Sequence, residues 1–297
     1  MMSFLEDHKL LVETQFGFRR KTTMEQAMIY LTTIINVALE KGFKVGALFL
    51  DLIKAFDMVD HELLLKKCEV YGLRGKASNF LRKFLSNRYQ YVQLNDSSSG
   101  EKLVEIGVPQ GSVLGLILFL IFISDLPNSL SNFCYRINEL TVNPTNETVL
   151  LFATDTTVIT TAKTAQLLEK SMRESVDKIV TWLRVNKLRI NISKSNFVFF
   201  SRSPVFYPWM KELNRSNGAI KRTVSFKYLG IVTDETVSFK QHVTLTSKIL
   251  ARNLGIMKKL KHFVPKSVLR HPYFSLIHPY ILEPDVQVSG SPRYCFS

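Results

Sequence analysis

Apolar residues recur at helical spacing along several stretches of the chain. The first such pattern opens with a capping box, Thr23-Met24-Glu25-Gln26, and stops at Lys41-Gly42. The same spacing predicts a long amphipathic helix over residues 168–183 and a basic helix over residues 240–261. Shorter helices are predicted over residues 62–70, 80–85 and 113–123.

Short apolar runs without helical spacing predict strands. One run, residues 46–50, ends abruptly in Asp51. Two more runs, residues 148–152 and 156–161, flank Ala153-Thr154-Asp155 and predict a tight hairpin with a carboxylate at its tip. The remaining predicted strands are a hairpin formed by residues 91–94 and 103–106 and single strands over residues 196–200 and 226–232.

The composition of the chain indicates a hydrophobic core and a strong positive charge. The chain has 297 residues, of which 46% are hydrophobic, enough to bury a sizeable core. Its formal charge is +14, and residues 236–297 carry nine Lys or Arg against two acidic residues. Positive charge concentrated in this way predicts a polyanionic partner, nucleic acid before membrane.

Polar segments, cysteines and the N-terminal sequence predict the loops of the chain and its cellular compartment. Polar loops are predicted at residues 128–148 and 201–219, and we expect residues 282–297 to be poorly ordered. Three cysteines without metal-ligand spacing favour a reducing compartment. No signal-peptide pattern opens the chain, and the apolar run 113–123 is about half of what a bilayer requires. We therefore expect an intracellular protein, nuclear or cytoplasmic and not secreted, with no membrane partner.

Candidate chemistry begins with two carboxylates at predicted strand ends. Asp51 and Asp155 both stand where open sheets place ligands and metals, although a lone Asp51 also fits a cap of the following turn. The segment Gln15-Phe16-Gly17-Phe18-Arg19-Arg20-Lys21 fits either a phosphate clamp or a solvated loop. The glycine-rich turn over residues 107–115 permits close approach to a planar or anionic ligand.

Three motifs in this order resemble the palm motifs of reverse transcriptases, and more narrowly those of non-LTR, LINE-type retrotransposons. They are Phe49-Leu50-Asp51-Leu52-x-Lys54-Ala55-Phe56-Asp57-x-Val59-Asp60-His61, Gly107-Val108-Pro109-Gln110-Gly111-Ser112-Val113-Leu114-Gly115 and Phe152-Ala153-x-Asp155. The resemblance runs from about residue 15 to about residue 280 and includes Asn191-x-x-Lys194 and Tyr228-Leu229-Gly230.

The resemblance implies an α+β fold, a right-hand polymerase palm on an antiparallel sheet of the split βαβ kind. Residues 1–44 would form partial fingers, and residues 45–235 the palm with inserted fingers elements. Residues 236–297 would form a basic helical thumb with an irregular tail.

The implied activity is RNA-directed DNA synthesis, in which deoxynucleoside triphosphates extend a DNA primer on an RNA template. Asp51 and Asp155 would bind Mg²⁺, with Mn²⁺ as the alternative ion, because these ions prefer hard oxygen ligands. The resemblance also implies that Lys194 lies beside the pyrophosphate and Arg19 beside the triphosphate. Phe56 would lie under the sugar and exclude a 2′-hydroxyl. Pro109, Gln110 and Gly111 would line the nucleotide and template pocket, and the primer end would be held by Tyr228, Leu229 and Gly230. Five cations of the basic helix would meet the nucleic-acid backbone: Lys248, Arg252, Lys258, Lys259 and Lys261.

The sequence departs from its family at the centre of the chemistry. Thr154 stands where the family places the first Asp of its Phe-Ala-Asp-Asp hairpin, a ligand shared by both metal ions. Leu116 replaces a Pro, which should affect only helix entry. We therefore expect a truncated or degenerate copy and carry an alternative, a catalytically dead nucleic-acid-binding remnant. A structural protein without nucleic acid is disfavoured by the charge after residue 236, and the sequence leaves the oligomeric state open.

Overall fold

A computed structural model describes residues 1–95, 97–130, 147–202, 211–215 and 218–281. The helices are α1 (Met2–Asp7), α2 (Met24–Glu40), α3 (His61–Val70), α4 (Lys76–Leu85), α5 (Val113–Ile123), α6 (Ala165–Val185), α7 (Lys240–Leu260), α8 (Lys266–Leu276) and α9 (His278–Ile281), with a 3₁₀ turn over Leu126–Ser129. The main strands are β1 (Lys44–Leu50), β6 (Glu147–Phe152), β7 (Asp155–Ala162), β8 (Asn196–Phe200), β9 (Glu212–Arg215) and β10 (Gly218–Arg222). Shorter strands are β2 (Tyr89–Gln90), β3 (Gln93–Leu94), β4 (Ser97–Ser98), β5 (Lys102–Leu103), β11 (Ser225–Tyr228) and β12 (Ile231–Asp234).

Local hydrogen bonds at the helix starts explain why these segments are helical. At α2 the Thr23 hydroxyl accepts from the Gln26 amide while the Gln26 side chain accepts from the Thr23 amide, a complete capping box. Asp60 caps α3 and Ser112 caps α5 in the same way, each accepting from an amide three residues later. The helices predicted from apolar spacing are therefore confirmed, with caps where the polar residues suggested them.

A six-stranded sheet in the order β6-β7-β1-β8-β10-β9 forms the centre of the molecule. Strand β1 lies between β7 and β8 and is antiparallel to both. Helices lie between β1 and β6 and between β7 and β8, so these elements follow one another as β-α-β-β-α-β. This arrangement confirms the predicted α+β class and the split βαβ palm.

Two hydrophobic cores cover the two faces of this sheet. Leu48 and Leu50 of β1 face a core shared with α3, α5 and α6, whereas the alternate residues Ala47 and Phe49 face a core shared with α2 and β11. Helix α2, which the sequence assigned to partial fingers, thus packs directly on the palm sheet. The domain boundaries at residues 44 and 235 stay predictions, although they fall beside the first residue of β1 and the last of β12.

Two sequence predictions about strands are corrected. The hairpin predicted from residues 91–94 and 103–106 is instead two short ladders, β2 with β5 and β3 with β4, because only two residues pair in each. The single strand predicted over residues 226–232 is a hairpin, β11 and β12, in which Leu229 and Gly230 both have positive φ. A turn with two left-handed residues reverses the chain tightly, and apolar spacing alone does not reveal it.

The basic helix carries an apolar stripe whose spacing predicts that the helix can dock on the palm: Ile249, Leu250, Leu254, Met257 and Leu260. Four of these side chains are half-buried, and Leu254 is 54% exposed. Among the described residues, the one fully buried side chain of α7 is Asn253, which donates to the Leu276 carbonyl at 2.6 Å. Helix α7 contacts β12, inside the predicted palm, and α8, so its apolar face is only partly covered.

The loop predicted at residues 128–148 falls largely outside the described residues, and the tail predicted over residues 282–297 lies entirely outside them. The loop predicted at residues 201–219 is corrected in its described part, because residues 212–215 form β9 and residues 218–219 begin β10, and these two strands pair antiparallel at one side of the central sheet. In the ranges that the structure describes, no helix combines the length and apolarity needed to cross a membrane. Cys68 is buried and free, and burial raises the pKa of its thiol to about 12.

A half-buried lysine joins the two helices that lie beneath the sheet. The Nζ atom of Lys67 in α3 donates to the Phe122 carbonyl and to Asp125 Oδ1, both at 2.7 Å. It also lies over the rings of Phe122 and Trp182, at 4.6 and 4.7 Å from their centroids. Burial lowers the pKa of Lys67, so its charge depends on these partners for compensation.

We predict that Lys67→Ala lowers the free energy of unfolding by about 2 kcal/mol, because the substitution leaves the Phe122 carbonyl and Asp125 without their cation, while the partial exposure of Asp125 limits the loss. Urea unfolding followed by circular dichroism measures this change. Lys66→Ala is the matched control, since Lys66 is the neighbouring exposed residue of the same helix, and its effect should stay within about 0.5 kcal/mol. Equal effects of the two substitutions would contradict the role assigned to Lys67.

Candidate polymerase active site

Strand register brings the two predicted carboxylates together. Strands β1 and β7 pair antiparallel with Leu50 opposite Thr156, so the next position places Asp51 opposite Asp155. The two residues are 104 positions apart in sequence, yet each stands at the same edge of the central sheet. The predicted meeting of a strand end with a hairpin is therefore present in the structure.

The hairpin that carries Asp155 has a two-residue turn. Phe152 pairs with Asp155, and Ala153 and Thr154 form the connection between β6 and β7. Ala153 has a φ of +56°, a left-handed conformation that is uncommon for a residue with a Cβ. Thr154 is half-buried in this turn, directly before Asp155. Its hydroxyl is a neutral oxygen at the position where the family motif has a carboxylate.

The two carboxylates differ in their surroundings. Burial, and secondarily the negative charge of Asp51, raises the pKa of Asp155 to about 6. Asp51 instead accepts a hydrogen bond from Asn191 Nδ2 at 2.9 Å. The carboxylate of Asp51 therefore has a neutral hydrogen-bond donor, whereas the charged form of Asp155 is destabilised by burial and by the nearby negative charge.

A turn that follows α6 holds Asp51 through its backbone as well as its side chain. The Asn191 amide donates to the Asp51 carbonyl at 2.8 Å, and the Asp51 amide donates to Ser195 Oγ at 3.1 Å. The Ser195 hydroxyl in turn donates to the Asn191 carbonyl at 2.8 Å. Sequence reasoning quoted Asn191 only as part of a motif and did not identify Ser195. Their proximity to Lys194, an exposed residue of the same turn, was the available signal.

The glycine-rich turn before α5 is bonded to the segment that follows Asp51. The Val108 amide donates to the Phe56 carbonyl at 2.8 Å, and Gln110 Nε2 donates to Asp57 Oδ1 at 2.8 Å. His61 Nε2 lies 2.7 Å from the Gly107 carbonyl oxygen. Two of the predicted motifs, far apart in sequence, therefore form one connected structure.

Side chains of these motifs point to both core and solvent. The Phe56 ring is half-buried and lies 4.4 Å from the Phe119 ring in α5, measured between centroids. Pro109 is half-buried, while Gln110 and Gly111 are exposed beside it. The structure thus gives Phe56 a core partner on one side, and leaves the turn open to a ligand.

The predicted primer segment lies close to the carboxylates. Tyr228 is buried, and its ring lies 5.7 Å from that of Phe49, two residues before Asp51. Burial raises the pKa of Tyr228, and the negative charge of Asp155 adds to this effect. Leu229 and Gly230 form the hairpin turn that follows. The β11–β12 hairpin therefore belongs to the surroundings of the site.

Arg19 occupies a different position from the one implied by its predicted role. Its guanidinium forms two hydrogen bonds to the Glu6 carboxylate, at 3.0 and 2.6 Å, and a third to the Val12 carbonyl at 2.8 Å. The hydrogen bond from Arg19 lowers the pKa of Glu6. Arg19 therefore joins its loop to α1. The exposed cations of the predicted phosphate clamp are Arg20 and Lys21.

The predicted backbone-binding cations lie on the surface of the α7 region. All five are exposed: Lys248, Arg252, Lys258, Lys259 and Lys261. Their outward orientation agrees with the prediction from helical spacing, although the apolar stripe between them is not buried.

The donor set fits one divalent cation held by two carboxylates. In the described parts of the chain, no cluster of three or more His, Cys, Asp or Glu side chains could hold a metal ion. The β1–β7 register nevertheless places Asp51 and Asp155 beside each other, and a cation between them would offset both the burial and the repulsion by Asp51 that raise the Asp155 pKa. Mg²⁺ commonly takes its remaining ligands from water and substrate phosphates. Thr154 adds only a neutral hydroxyl to this donor set, where the family motif has a further carboxylate.

Comparisons with known proteins agree with the fold and motifs. The family model for reverse transcriptase (RNA-dependent DNA polymerase) matches residues 1–233. The RNA-directed DNA polymerase from mobile element jockey of Drosophila melanogaster is 32% identical over 241 residues, which cover 80% of this chain and 25% of that protein. The probable RNA-directed DNA polymerase from transposon BS of the same species is 26% identical over 253 residues, covering 82% of this chain and 26% of that protein.

A solved structure supports the architecture. The apo telomerase from Candida tropicalis matches with a TM-score of 0.54 at 13% identity, over 80% of this chain and 38% of that chain. At this identity the likeness concerns the fold alone, and it is consistent with the predicted right-hand polymerase. The chain spans about a quarter of the length of the curated relatives named above. Since the family model matches 233 of its 297 residues, the chain belongs to the reverse transcriptase family, and its relatives are polymerases of non-LTR mobile elements.

Proposed function

We propose that this chain is the polymerase domain of an RNA-directed DNA polymerase, which adds deoxynucleotides to a DNA primer on an RNA template. The observation that carries this proposal is that the β1–β7 register places Asp51 beside Asp155, close enough for their charges to interact, inside a matched reverse transcriptase domain. Two carboxylates facing each other in a desolvated place are costly for a fold, and such sites usually serve chemistry.

Asp51 and Asp155 are proposed to hold Mg²⁺, with Mn²⁺ as the alternative ion. Such an ion, when bound, would stabilise the negative charge on the oxygens of the phosphoryl group that is transferred. The chain's own contribution is to fix Asp51 through Asn191 and Ser195, and to fix Asp155 through the β6–β7 turn. Positioning of this kind supplies much of the rate enhancement in phosphoryl transfer.

The other site residues are proposed to bind and select the substrates. Phe56 would lie under the sugar of the nucleotide, and its packing on Phe119 would keep the ring rigid against a 2′-hydroxyl. Pro109, Gln110 and Gly111 would line the nucleotide and template pocket, and Lys194 would lie beside the pyrophosphate. Tyr228, Leu229 and Gly230 would hold the primer end. Arg19 would meet a triphosphate only by exchanging Glu6 for phosphate.

Thr154 favours a second candidate function, a nucleic-acid-binding remnant with little or no catalysis. A neutral hydroxyl replaces one of the preorganised charges that a transferring phosphoryl group requires. The exposed cations of the α7 region do not depend on this residue. Binding should therefore persist where catalysis is weak, and a substitution at position 154 separates the two functions.

We predict that Thr154→Asp raises the rate of primer extension by about 10²–10³, because it restores one charged contact to the transition state. Extension of a DNA primer on an RNA template, with Mg²⁺ and separately with Mn²⁺, measures the change. Thr154→Asn is the matched control, since Asn has nearly the shape of Asp without its charge, and it should remain as slow as the parent chain. If Thr154→Asp extends no primer while the duplex still binds, the remnant is the correct function.

A pH prediction follows from the Asp155 pKa of about 6, compared with 3.8 for an ordinary Asp. Protonation of Asp155 stabilises the fold, and this contribution is present below pH 3.8 and is lost as pH rises through about 6. Asp155→Asn should therefore raise the free energy of unfolding at pH 8 by up to about 2 kcal/mol, after allowance for solvent screening.

Urea unfolding at pH 4 and pH 8 tests this prediction, because the advantage of Asp155→Asn should largely vanish at about pH 4, where both side chains are neutral. Asp7→Asn removes an exposed carboxylate and should show no comparable pH-dependent gain. Millimolar Mn²⁺ at pH 8 should stabilise the parent chain more than Asp155→Asn. An advantage of equal size at both pH values would contradict the strain assigned to Asp155.

The basic α7 region generates a binding prediction. Replacing Lys258, Lys259 and Lys261 together by Ala should weaken binding to a primer–template duplex and flatten its salt dependence by up to about three units, because each phosphate contact releases counterions. Fluorescence anisotropy at several salt concentrations measures both quantities. A second triple variant, in which Lys41, Lys44 and Lys163 become Ala, makes the same charge change near the end of β1 remote from Asp51.

The control triple variant should retain most of the parent's salt slope. Thr154→Asp should also leave affinity nearly unchanged, since it alters the site and not the helix surface. Equal slopes for the two triple variants would mean that the duplex lies away from the α7 region.

A further inference from the structure

The segment from Thr14 to Gly17 lies beside the strand that leads into the Ala153–Thr154 turn. The Leu151 amide donates to the Thr14 carbonyl at 2.9 Å, and the Phe16 amide donates to the Leu151 carbonyl at 2.8 Å. Gln15 thus forms a parallel bridge with Leu151. Because β6 is the last strand of the sheet on this side, the segment covers an otherwise open edge.

The side chain of Gln15 reaches the catalytic turn. It is 1% exposed, and its Oε1 atom accepts from the Ala153 amide at 3.1 Å and from the Gly17 amide at 2.9 Å. The first of these bonds spans 138 positions in sequence. One buried oxygen therefore fixes two backbone amides, one of which belongs to the residue with left-handed backbone in the turn before Asp155.

The two donors determine the orientation of the Gln15 amide group. Both partners are backbone N–H groups, so the atom facing them must be the oxygen. Among the described residues, the Nε2 atom of Gln15 has no hydrogen-bond partner. A buried donor without a partner is costly, and the two hydrogen bonds that the oxygen accepts from backbone amides offset this cost.

Backbone packing reinforces this contact. A Cβ atom on Gly17 would lie 2.3 Å from the Ala153 amide nitrogen, so only glycine permits the segment to approach the turn so closely. Beyond Gly17, the Thr22 hydroxyl donates to the Phe16 carbonyl at 2.7 Å, and Arg19 is bonded to Glu6. The segment is therefore anchored on both sides of its contact with the hairpin.

We propose that Gln15 is a positioning residue for the active site, whose side-chain oxygen holds the Ala153 amide and thereby fixes the turn that places Asp155 opposite Asp51. The inference rests on the proposed function for its catalytic consequence, but its structural consequence can be measured without catalysis. It also gives the Gln15–Lys21 motif a function that neither a phosphate clamp nor a solvated loop describes.

Gln15→Met tests the proposal, because Met has a similar length and fills the space without offering an oxygen acceptor. In the full chain with Thr154→Asp, we expect amide hydrogen exchange at Ala153 to accelerate by about tenfold or more, since its buried hydrogen bond is lost. Binding of Mn²⁺, followed by electron paramagnetic resonance, should weaken by about tenfold as Asp155 loses its fixed position. The kcat for primer extension should fall while the KM for the nucleotide changes little.

Two variants complete the experiment. Gln26→Met removes a glutamine side-chain bond at the start of α2, away from the hairpin, and should leave Ala153 exchange and Mn²⁺ affinity unchanged. Gln15→Glu restores an oxygen acceptor at the same reach and should recover the protection of Ala153. If Gln15→Met proves unfolded by circular dichroism, Gln15→Asn replaces it, because its shorter side chain withdraws the oxygen from the Ala153 amide and should accelerate Ala153 exchange by about tenfold relative to Gln15→Glu.

The proposal is overturned if folded Gln15→Met keeps Ala153 exchange and Mn²⁺ affinity within about twofold of the parent, or if folded Gln15→Glu leaves Ala153 unprotected. One outcome would distinguish the positioning role of Gln15 from the proposed polymerase function. If Gln15→Met loses the protection of Ala153 and no variant extends a primer, Gln15 holds the turn as inferred, and the proposed polymerase function fails.

Discussion

Repulsion between two carboxylates is the constraint on which the active-site region depends. Asp51 and Asp155 face each other because β1 and β7 pair in a register set by their apolar residues, and a shift by one position would send each buried side chain to the opposite face. The hydrophobic cores on both faces of the sheet therefore support the unfavourable pair. The free energy gained by burying these cores offsets the unfavourable proximity of the two carboxylates at this edge, where a cation could bind between them.

Different polar groups fix the positions of the two carboxylates. Asn191 and Ser195 hold Asp51 from the turn after α6, and Gln15 holds the turn that precedes Asp155. The Asp57–Gln110 bond joins the segment after β1 to the glycine-rich turn before α5. Each bond connects segments that are far apart in sequence, so the geometry of the site depends on the complete fold. Preorganisation of this kind favours a transition state because the groups do not reorient during reaction.

Sequence predicted the parts of this structure that local patterns encode. The capping box at Thr23, the carboxylates at strand ends and the hairpin before Asp155 all follow from short-range rules. The contacts of Gln15 do not, because a buried glutamine and a solvated one have the same local pattern. For a related reason, spacing predicts α7 and its apolar face but not how far neighbouring elements cover that face.

Thr154 places function and stability in opposition. A third carboxylate beside Asp51 and Asp155 would add repulsion to a site where burial already raises the pKa of one acid. The neutral threonine lowers that strain while it removes a charge that catalysis would use. Without selection for catalysis, substitutions that relieve such strain are favoured by stability alone. The strand register, the hydrogen bonds to Asp51 and the exposed cations of α7 all lie outside the Thr154 side chain, so the charge at position 154 can change while this framework stays in place.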